Sequence, residues 1–568
     1  MANTTKKHNH KFKKASAMAA ASFMIISLVL GGCGSAASSQ TSAAAAQTSE
    51  TQAQNSETPV QTSDDAQDTD AAVQSSDASA PSAGSESTAS SESDSRSSEA
   101  LIEDITGNIT ETIENSADGE HAITADGEEA SYSNISVIKT GGSEGDEADF
   151  YGENAAIFAT NGATLTLSGL SVNTDGKHAN GVFSYGEGTT VNISDSVIET
   201  SGNCSGGLMT TGGGTMNATN LVIHTTGNSS AAIRSDRGGG TVNVTGGSYT
   251  TDGTGSPVIY STADITVSDA SMESTASQGV VVEGQNSVTL NNVNLTANNV
   301  TKNSDKSDWY QAVMIYQSMS GDADEGLASF AMNGGTLTNL NGDVFFVNNT
   351  TAAIDLSGAE ILNKDEDGVF LRAAAAGWGS EGSNGGHVTL TAAQQTITGD
   401  ILVDEVSTLN LYLSQNSIFT GAINPDGAAG DVYVEIEDGS TWTLTGDSYI
   451  TSLRCSTGSI NLNGFKLYVN GEEYTEGSAS EGEAIKVETS SSSSHGGKDG
   501  SSKSGSHGGE NGSHGNKGGG EPPAKPDGDG SEPPAKPDGD GGEPPAKPDG
   551  DGGEPPAKPD GDGGVPSF

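Results

Sequence analysis

The sequence predicts an all-β protein whose residues 100–488 form one single-stranded right-handed parallel β-helix of about 12 coils. Three observations support this fold. Apolar residues recur with a period of about 26 residues, and each period holds three short stretches in which apolar and polar residues alternate. The 78 glycines of the chain, with Asn, Asp and Ser, provide turns between those stretches. A single coil is too thin to bury a core, so the coils must stack.

The coils are recognised by their apolar columns. Most coils open with two adjacent apolar residues, followed by an alternating stretch such as Val191/Ile193 and a third stretch such as Leu221/Ile223. The opening pairs are Ala156-Ile157, Val182-Phe183, Leu208-Met209, Ala232-Ile233, Val258-Ile259, Val280-Val281, Val313-Met314, Val344-Phe345, Val369-Phe370, Ile401-Leu402 and Val432-Tyr433. Residues before Glu153 are expected to supply the first coil, and the stretch from Ile460 to be the last.

These opening pairs pose a geometric problem, because a flat strand points adjacent side chains to opposite faces. Either a bend places both residues inside, or one column forms an exposed apolar stripe that marks a binding or dimer surface. We favour the bend. The coil spacing lengthens after residue 300, which predicts insertions at 301–311, 318–327 and 373–386.

Composition divides the rest of the chain into three segments. Residues 1–32 have the basic start and short apolar stretch of a lipoprotein signal peptide, and Gly31-Gly32-Cys33 predicts a lipid on Cys33. Residues 33–99 are rich in Ser, Ala and Thr and predict a disordered tether. Residues 489–568 predict a disordered tail with Ser/His/Gly units and four proline-rich repeats that begin at Glu521, Glu532, Glu543 and Glu554.

These features predict a protein anchored by its lipid to the extracellular face of the cytoplasmic membrane and exposed at the cell surface. The formal net charge of −52 argues against nucleic acid as a partner. The expected partners are the membrane, through the lipid, and cell-wall or host glycans. No organic cofactor is predicted, and calcium is the one cofactor left open.

The body resembles the pectin-lyase-like right-handed β-helix superfamily, in particular the β-helix-repeat lipoproteins of Gram-positive gut bacteria. The resemblance rests on residues 154–162 (NAAIFATNG), 175–181 (DGKHANG) and 256–262 (SPVIYST) and covers roughly residues 103–488. It implies the fold. It implies little about activity, because the superfamily includes lyases, hydrolases and adhesins.

Lyases of this superfamily use Lys or Arg as the base, often with calcium. The catalytic candidates are therefore Arg234, Arg237 and Arg372, and we expect Arg234 to project near Tyr260 of the next coil. The simpler interpretation is a salt bridge at the surface. The paired carboxylates of polygalacturonases are not recognisable in the body.

The insertions are the better place for a ligand, since loops on a rigid scaffold commonly carry function. Aromatic residues on or beside them are candidates for sugar stacking: Trp309, Tyr310, Tyr316, Trp378 and, nearby, Tyr260. The acidic candidates for calcium are Asp305, Asp308, Asp322, Asp324 and Glu325. The tryptophans could equally serve to hold the loops against the body.

The leading hypothesis is a non-enzymatic adhesin or glycan-binding protein. A polysaccharide lyase-like enzyme acting on acidic glycans and a purely structural envelope protein remain as alternatives.

Overall fold

The structure is a computed structural model that describes residues 98–302 and 304–487. These residues form two short helices, α1 (Ser98–Asn108) and α2 (Asp146–Phe150), and 38 strands. The predicted signal peptide, Cys33, most of the predicted tether and the predicted tail lie outside the described residues.

The strands of the first half are β1 (Glu111–Asn115), β2 (Ile123–Asp126), β3 (Glu129–Ser133), β4 (Ile135–Lys139), β5 (Ile157–Thr160), β6 (Thr164–Ser168), β7 (Ser171–Thr174), β8 (Val182–Tyr185), β9 (Thr190–Thr200), β10 (Leu208–Thr211), β11 (Gly214–Thr225), β12 (Ile233–Ser235), β13 (Gly240–Thr245), β14 (Ser248–Thr251), β15 (Ile259–Ser261), β16 (Asp264–Ser268), β17 (Ser271–Ser274), β18 (Val280–Glu283) and β19 (Ser287–Ala297).

The strands of the second half are β20 (Gln311–Tyr316), β21 (Leu327–Asn339), β22 (Asp343–Asn348), β23 (Thr350–Ser357), β24 (Glu360–Asn363), β25 (Leu371–Ala373), β26 (Gly386–Ala393), β27 (Thr396–Thr398), β28 (Ile401–Val403), β29 (Thr408–Ser414), β30 (Ile418–Thr420), β31 (Asp431–Ile436), β32 (Thr441–Thr443), β33 (Ser448–Ile450), β34 (Ser452–Cys455), β35 (Ile460–Asn461), β36 (Leu467–Val469), β37 (Glu472–Glu473) and β38 (Ser480–Glu481).

The prediction of an all-β protein built from parallel strands is confirmed. The strands form sheets of 20, 11, four and three strands, and the stacking is compatible with a parallel β-helix. In the 11-stranded sheet, β2, β5, β8, β10, β12, β15, β18, β20, β22, β25 and β28 lie side by side in chain order. Among the described strands only two pairs are antiparallel, β34 with β38 and β36 with β37, and both lie at the carboxyl-terminal end.

One apolar column of the 11-stranded sheet shows how the coils build the core. Its register aligns Ile157, Val182, Leu208, Ile233, Ile259, Val280, Val313, Phe345, Leu371 and Ile401. All ten are buried in one hydrophobic cluster that extends from Ile123 to Leu467. The branched residues of this column suit strands that pack against equivalent neighbours on both sides.

The buried clusters divide eight of the eleven opening pairs into two kinds. In the pairs that end at Ile157, Ile233, Ile259 and Phe345, both residues belong to the main core, as the predicted bend requires. In the pairs that begin at Val182, Leu208, Val280 and Val313, the second residue instead lies outside the main core. These second residues are not an exposed stripe, because other segments of the chain cover them.

A polar ladder holds one turn of successive coils together. The backbone N–H of Ala179 donates to Ser205 Oγ, that of Ser205 to Ser230 Oγ, and that of Ser230 to Ser256 Oγ, each at 2.9 Å. All three serines are fully buried, so these bonds satisfy backbone groups that water cannot reach.

Glycine is required beside this ladder. A Cβ atom on any residue of one glycine column would lie 1.9–2.0 Å from a carbonyl oxygen of the preceding coil. The column consists of Gly141, Gly176, Gly202, Gly227 and Gly253. Close approach of neighbouring backbones, rather than positive φ, therefore explains these glycines.

Helix α1 is a feature that the sequence prediction missed. The predicted β-helix begins at residue 100, whereas the described chain begins with a helix over Ser98–Asn108. Leu101 and Ile105, one helical turn apart, pack against Val197 and Val222 on strands β9 and β11. No helix among the described residues is long and apolar enough to cross a membrane.

Candidate functional site

The outer face of the 11-stranded sheet carries two buried apolar clusters outside the main core. The first contains Ala155, Phe158, Phe183 and Met209. The second contains Ala231, Tyr260, Val281, Met314, Tyr316, Phe346, Ala374 and Trp378. Segments inserted between strands cover this face. Without them, a large apolar sheet surface would be exposed to solvent.

Arg234 lies between the two clusters and is held by carboxylates. It pairs in register with Tyr260, as the sequence suggested. Its Nη2 atom donates to Asp236 Oδ2 at 2.7 Å and to Asp149 Oδ1 of helix α2 at 3.3 Å. Only 4 % of Arg234 is exposed, so the ion pair is buried rather than at the surface.

Burial shapes the protonation of this group of residues. Burial alone would lower the pKa of Arg234, but the carboxylates of Asp149 and Asp236 outweigh it and raise the pKa. Burial raises the pKa of Asp236, and the nearby Asp149 and Asp322 add to this effect against the opposing charge of Arg234. His178 is also buried beside Asp149, and burial lowers its pKa to about 4.

Arg237 and Arg372 are likewise paired with carboxylates. Arg237 Nε donates to Asp322 Oδ1 at 2.6 Å, and its guanidinium lies 3.6 Å from the ring centre of Phe150. Arg372 Nε donates to Asp343 Oδ2 at 2.6 Å. A guanidinium engaged by a carboxylate in this way is unsuited to abstract a proton from a substrate.

Tyr260 and Tyr316 converge on a carboxylate that the sequence did not single out. Both phenol hydroxyls donate to Glu283 Oε2, that of Tyr316 at 2.9 Å. The backbone N–H of Ser318 donates to Glu283 Oε1 at 3.3 Å. Burial raises the pKa of Glu283 despite these hydrogen bonds. Both tyrosines are almost fully buried, so little of either side chain is accessible to a ligand.

Two adjoining pockets lie on this face. The first, which we call the tyrosine pocket, has a cavity volume of about 30 Å³, or about 460 Å³ when the solvent at its open mouth is counted. It is lined by Ser229, Ala231, Arg234, Gly255, Pro257, Tyr260, Gln278, Val281, Met314 and Tyr316. The second, the tryptophan pocket, has a cavity volume of about 20 Å³, or about 330 Å³ with its open mouth. It is lined by Gly255, Gln278, Asn299, Thr301, Lys302, Ser304, Ser307, Trp309, Gln311, Met314 and Trp378.

The predicted insertions build the tryptophan pocket. Trp309 lies just before β20, and Trp378 belongs to the insertion between β25 and β26. The backbone N–H of Gly377 donates to the carbonyl oxygen of Lys306 at 2.6 Å, which joins the two insertions directly. Trp378 also packs edge-on against Tyr316, with 5.2 Å between ring centres. The two insertions therefore form one wall.

Three residues that line this pocket each have a buried polar side-chain atom without a hydrogen-bond partner among residues 98–302 and 304–487. These atoms are the indole Nε1 of Trp378, Oδ1 of Asn299 and Oε1 of Gln311. Each of these residues is only 2 % exposed. Buried polar groups are nearly always paired in folded proteins, and each unpaired group costs about 1–3 kcal/mol. One buried donor and two buried acceptors therefore belong to side chains that line the pocket.

Of the remaining aromatic candidates, Tyr310 lies outside the pocket wall and Trp309 lies within it. Tyr310 is half-buried beneath the Nζ atom of Lys302, 4.9 Å from the ring centre, and is not part of the pocket wall. Trp309 lines the pocket, and the guanidinium of Arg372 lies 4.7 Å from its ring centre. Trp309 and Trp378 thus both hold the insertions in place and border the pocket.

The acidic candidates for calcium are not brought together. Asp322 is buried against Arg237, whereas Asp305, Asp308 and Glu325 are exposed. The Asp324 carboxylate is 3.5 Å from the Gln285 side chain. Among residues 98–302 and 304–487, no group of three or more His, Cys, Asp or Glu side chains is arranged to hold a metal ion.

Asn299, Gln311 and Glu283 are site residues that sequence reasoning missed. Asn299 and Gln311 flank the first insertion, so the interruption of the coil period was the available signal. Nothing in the repeat distinguishes Glu283 from the other outward-facing acids. The chain as a whole matches no protein-family model, no curated protein and no solved structure.

Proposed function

We propose that this protein is a cell-surface glycan-binding protein without enzymatic activity, and that sugars bind in the tryptophan pocket. The observation that carries the proposal is the set of unpartnered atoms on Trp378, Asn299 and Gln311, which line one pocket between two tryptophans. Sugar hydroxyl groups can both donate to and accept from such atoms, while the apolar faces of a sugar ring suit aromatic side chains.

The proposed scaffold is a single right-handed parallel β-helix of about 12 coils. Parallel pairing of equivalent strands in consecutive coils supports it, as in the column that contains Leu208 and Ile233. The hand follows from the strong preference of parallel strand connections for right-handed crossovers. The resemblance to pectin-lyase-like β-helices agrees with this proposal.

The proposed location is the extracellular face of the cytoplasmic membrane. It rests on the sequence alone: five lysines, a short apolar stretch and Gly31-Gly32-Cys33. Two acyl chains on Cys33 would suffice for stable anchoring. Mass analysis of the native protein should find lipid on Cys33, and Cys33→Ala should release the protein into the medium. An unmodified Cys33 in membrane fractions would contradict the anchor.

The pairing of Arg234, Arg237 and Arg372 with acids disfavours the lyase alternative, because each guanidinium group is already engaged by a carboxylate. Incubation of the chain with uronic-acid polymers, with and without calcium, should therefore yield no unsaturated products. Turnover that is lost in Arg234→Ala would establish the enzyme instead.

Binding should be measured on the full chain carrying Cys33→Ala, first on a glycan array and then by calorimetry with the bound sugars. Trp378→Phe keeps an aromatic ring but removes the indole N–H, and we expect about tenfold weaker binding. Trp442→Phe is the matched control, because the Trp442 N–H donates to the carbonyl of Gly421 in the main core. It should leave the affinity unchanged.

An equal loss in both variants would point to a general effect on folding and contradict the proposed site. No binding to any glycan or host matrix protein would favour the purely structural alternative.

A further inference from the structure

The two adjoining pockets differ from other surface pockets in charge. The chain has 76 acidic and 24 basic residues, yet no Asp or Glu lines the tryptophan pocket or the tyrosine pocket. Their charged lining residues are Lys302 and Arg234. Three other pockets each include at least one acid: Glu199 in one, Glu325 in the second and Glu153 in the third. Among the described residues, the lining of the proposed sugar site therefore carries no acid, although the buried carboxylates of Asp236 and Glu283 lie close behind the tyrosine pocket.

Two lysines of the first insertion are held beside the aromatic rings of this site. Lys302 Nζ donates to the carbonyl oxygen of Ser307 at 3.0 Å and lies over the ring of Tyr310. Lys306 Nζ lies 5.8 Å from the ring centre of Trp378. Neither ammonium group is within 4.0 Å of a carboxylate in the part of the chain that the structure describes.

The neighbouring acids do not cancel this charge by direct pairing. Asp305 and Asp308 flank Lys306 in sequence but are exposed and do not line the pocket. Arg372, 4.7 Å from the ring centre of Trp309, is already paired with Asp343. Lys302 thus lines the pocket and Lys306 lies beside its Trp378 ring, and neither is paired with a carboxylate among the described residues. Aromatic contacts position them without neutralising them.

We propose that the tryptophan pocket is specific for anionic sugars, with a carboxylate or sulfate group of the ligand bound by Lys302 and Lys306. This proposal rests on the proposed function and names the class of glycan. The sugar hydroxyls would meet Asn299 Oδ1, Gln311 Oε1 and Trp378 Nε1, while the anionic group lies toward the first insertion. Charge-assisted hydrogen bonds from lysine would supply the discrimination against neutral sugars.

The test compares three ligands of equal length on the full chain carrying Cys33→Ala: a neutral oligosaccharide, a uronic-acid oligosaccharide and a sulfated oligosaccharide. Calorimetry should give at least about tenfold tighter binding for one or both anionic ligands. The uronate and sulfate arms identify which anion the site takes. In Lys302→Gln/Lys306→Gln the anionic ligands should bind no more tightly than the neutral one.

Lys364→Gln is the matched control, since Lys364 is an exposed lysine outside both pockets. It should leave all three affinities unchanged. Binding of the neutral ligand as tightly as both anionic ligands would overturn the specificity and leave glycan binding intact. Equal losses for all three ligands in the double lysine variant would also overturn it. Failure of every ligand to bind would refute the proposed function itself.

Discussion

Arg234 and Asp149 form a buried ion pair although 85 residues separate them in the chain. Asp149 belongs to a five-residue helix that lies over the outer face of the 11-stranded sheet, and Arg234 projects from strand β12 of that sheet. The pair therefore fixes a short insertion on the scaffold. It also separates the two apolar clusters of the outer face.

Replacement of Arg234 should destabilise the protein strongly. Arg234→Met leaves the buried carboxylates of Asp149 and Asp236 without a cation, and we expect a loss of about 3–5 kcal/mol in the free energy of unfolding. Urea denaturation measures the effect. Arg454→Met is the control, because Arg454 is 56 % exposed and lies 3.8 Å from Glu435. Its effect should stay within about 1 kcal/mol. Comparable losses in both variants would show that burial of the Arg234 ion pair adds nothing to its contribution to stability.

Acid should destabilise the protein through His178. Its pKa is about 4 in the folded protein, below its ordinary value, because burial disfavours the charged ring. This contribution to stability is complete above about pH 6.5 and is lost as the pH falls toward 4. Asp236 and Glu283, whose pKa values burial raises, act in the opposite direction over the same range, so the loss is measured as the difference between the melting profiles of the protein and of His178→Asn between pH 4 and 7. Asparagine suits this position because it tolerates the positive φ of 56°. The variant should lose less stability toward pH 4 than the protein does. An unchanged profile in the variant would exclude His178.

The serine ladder should make a measurable contribution to stability. Ser230→Ala leaves the buried N–H of Ser205 unpaired and removes a hydroxyl that donates to the carbonyl of Gly202 at 3.0 Å. We expect a loss of about 1–3 kcal/mol in denaturant unfolding. Ser133→Ala on strand β3 serves as the control, because Ser133 is exposed and should change stability by less than about 0.5 kcal/mol. If the two variants behave alike, the ladder has no special role.

The glycine column should tolerate no side chain. In Gly227→Ala the added Cβ would lie 1.9 Å from the carbonyl oxygen of Gly202, so neighbouring coils must move apart. We expect the free energy of unfolding to fall by more than about 2 kcal/mol. Gly107→Ala, where no atom lies within 4 Å in helix α1, should instead be neutral or stabilising by up to about 1 kcal/mol. Thermal melting distinguishes the two. A harmless Gly227→Ala would mean that the coils are not in rigid contact at this turn.

The period of the apolar residues was sufficient to predict the parallel strands. Residues such as Val191 and Ile193 alternate as a strand requires, and the coil spacing places equivalent residues side by side. The period could not distinguish the two kinds of opening pair. Ala232-Ile233 and Leu208-Met209 look alike in sequence, and what covers Met209 comes from segments far away in the chain.

The site could be predicted only in part. The interruption of the period at 301–311 and 373–386 correctly indicated where the chain leaves the scaffold, and the tryptophans there do border a pocket. The arginines were chosen for their chemical type, and their partners could not be foreseen. Asp149, Asp322 and Asp343 each reach an arginine from another strand or insertion. Such pairing depends on the three-dimensional path of the inserted segments.

The register of the coils sets the spacing of side chains along the outer face. Each coil contributes side chains to the adjoining pockets at intervals of about 4.8 Å, the separation of neighbouring strands. Gly255, Gln278 and Met314 belong to both pockets. A linear polymer lying across the two pockets would therefore contact side chains at regular intervals set by the backbone. A change in the number of coils between Arg234 and Trp309 would therefore alter the length of polymer that fits, without changing either pocket.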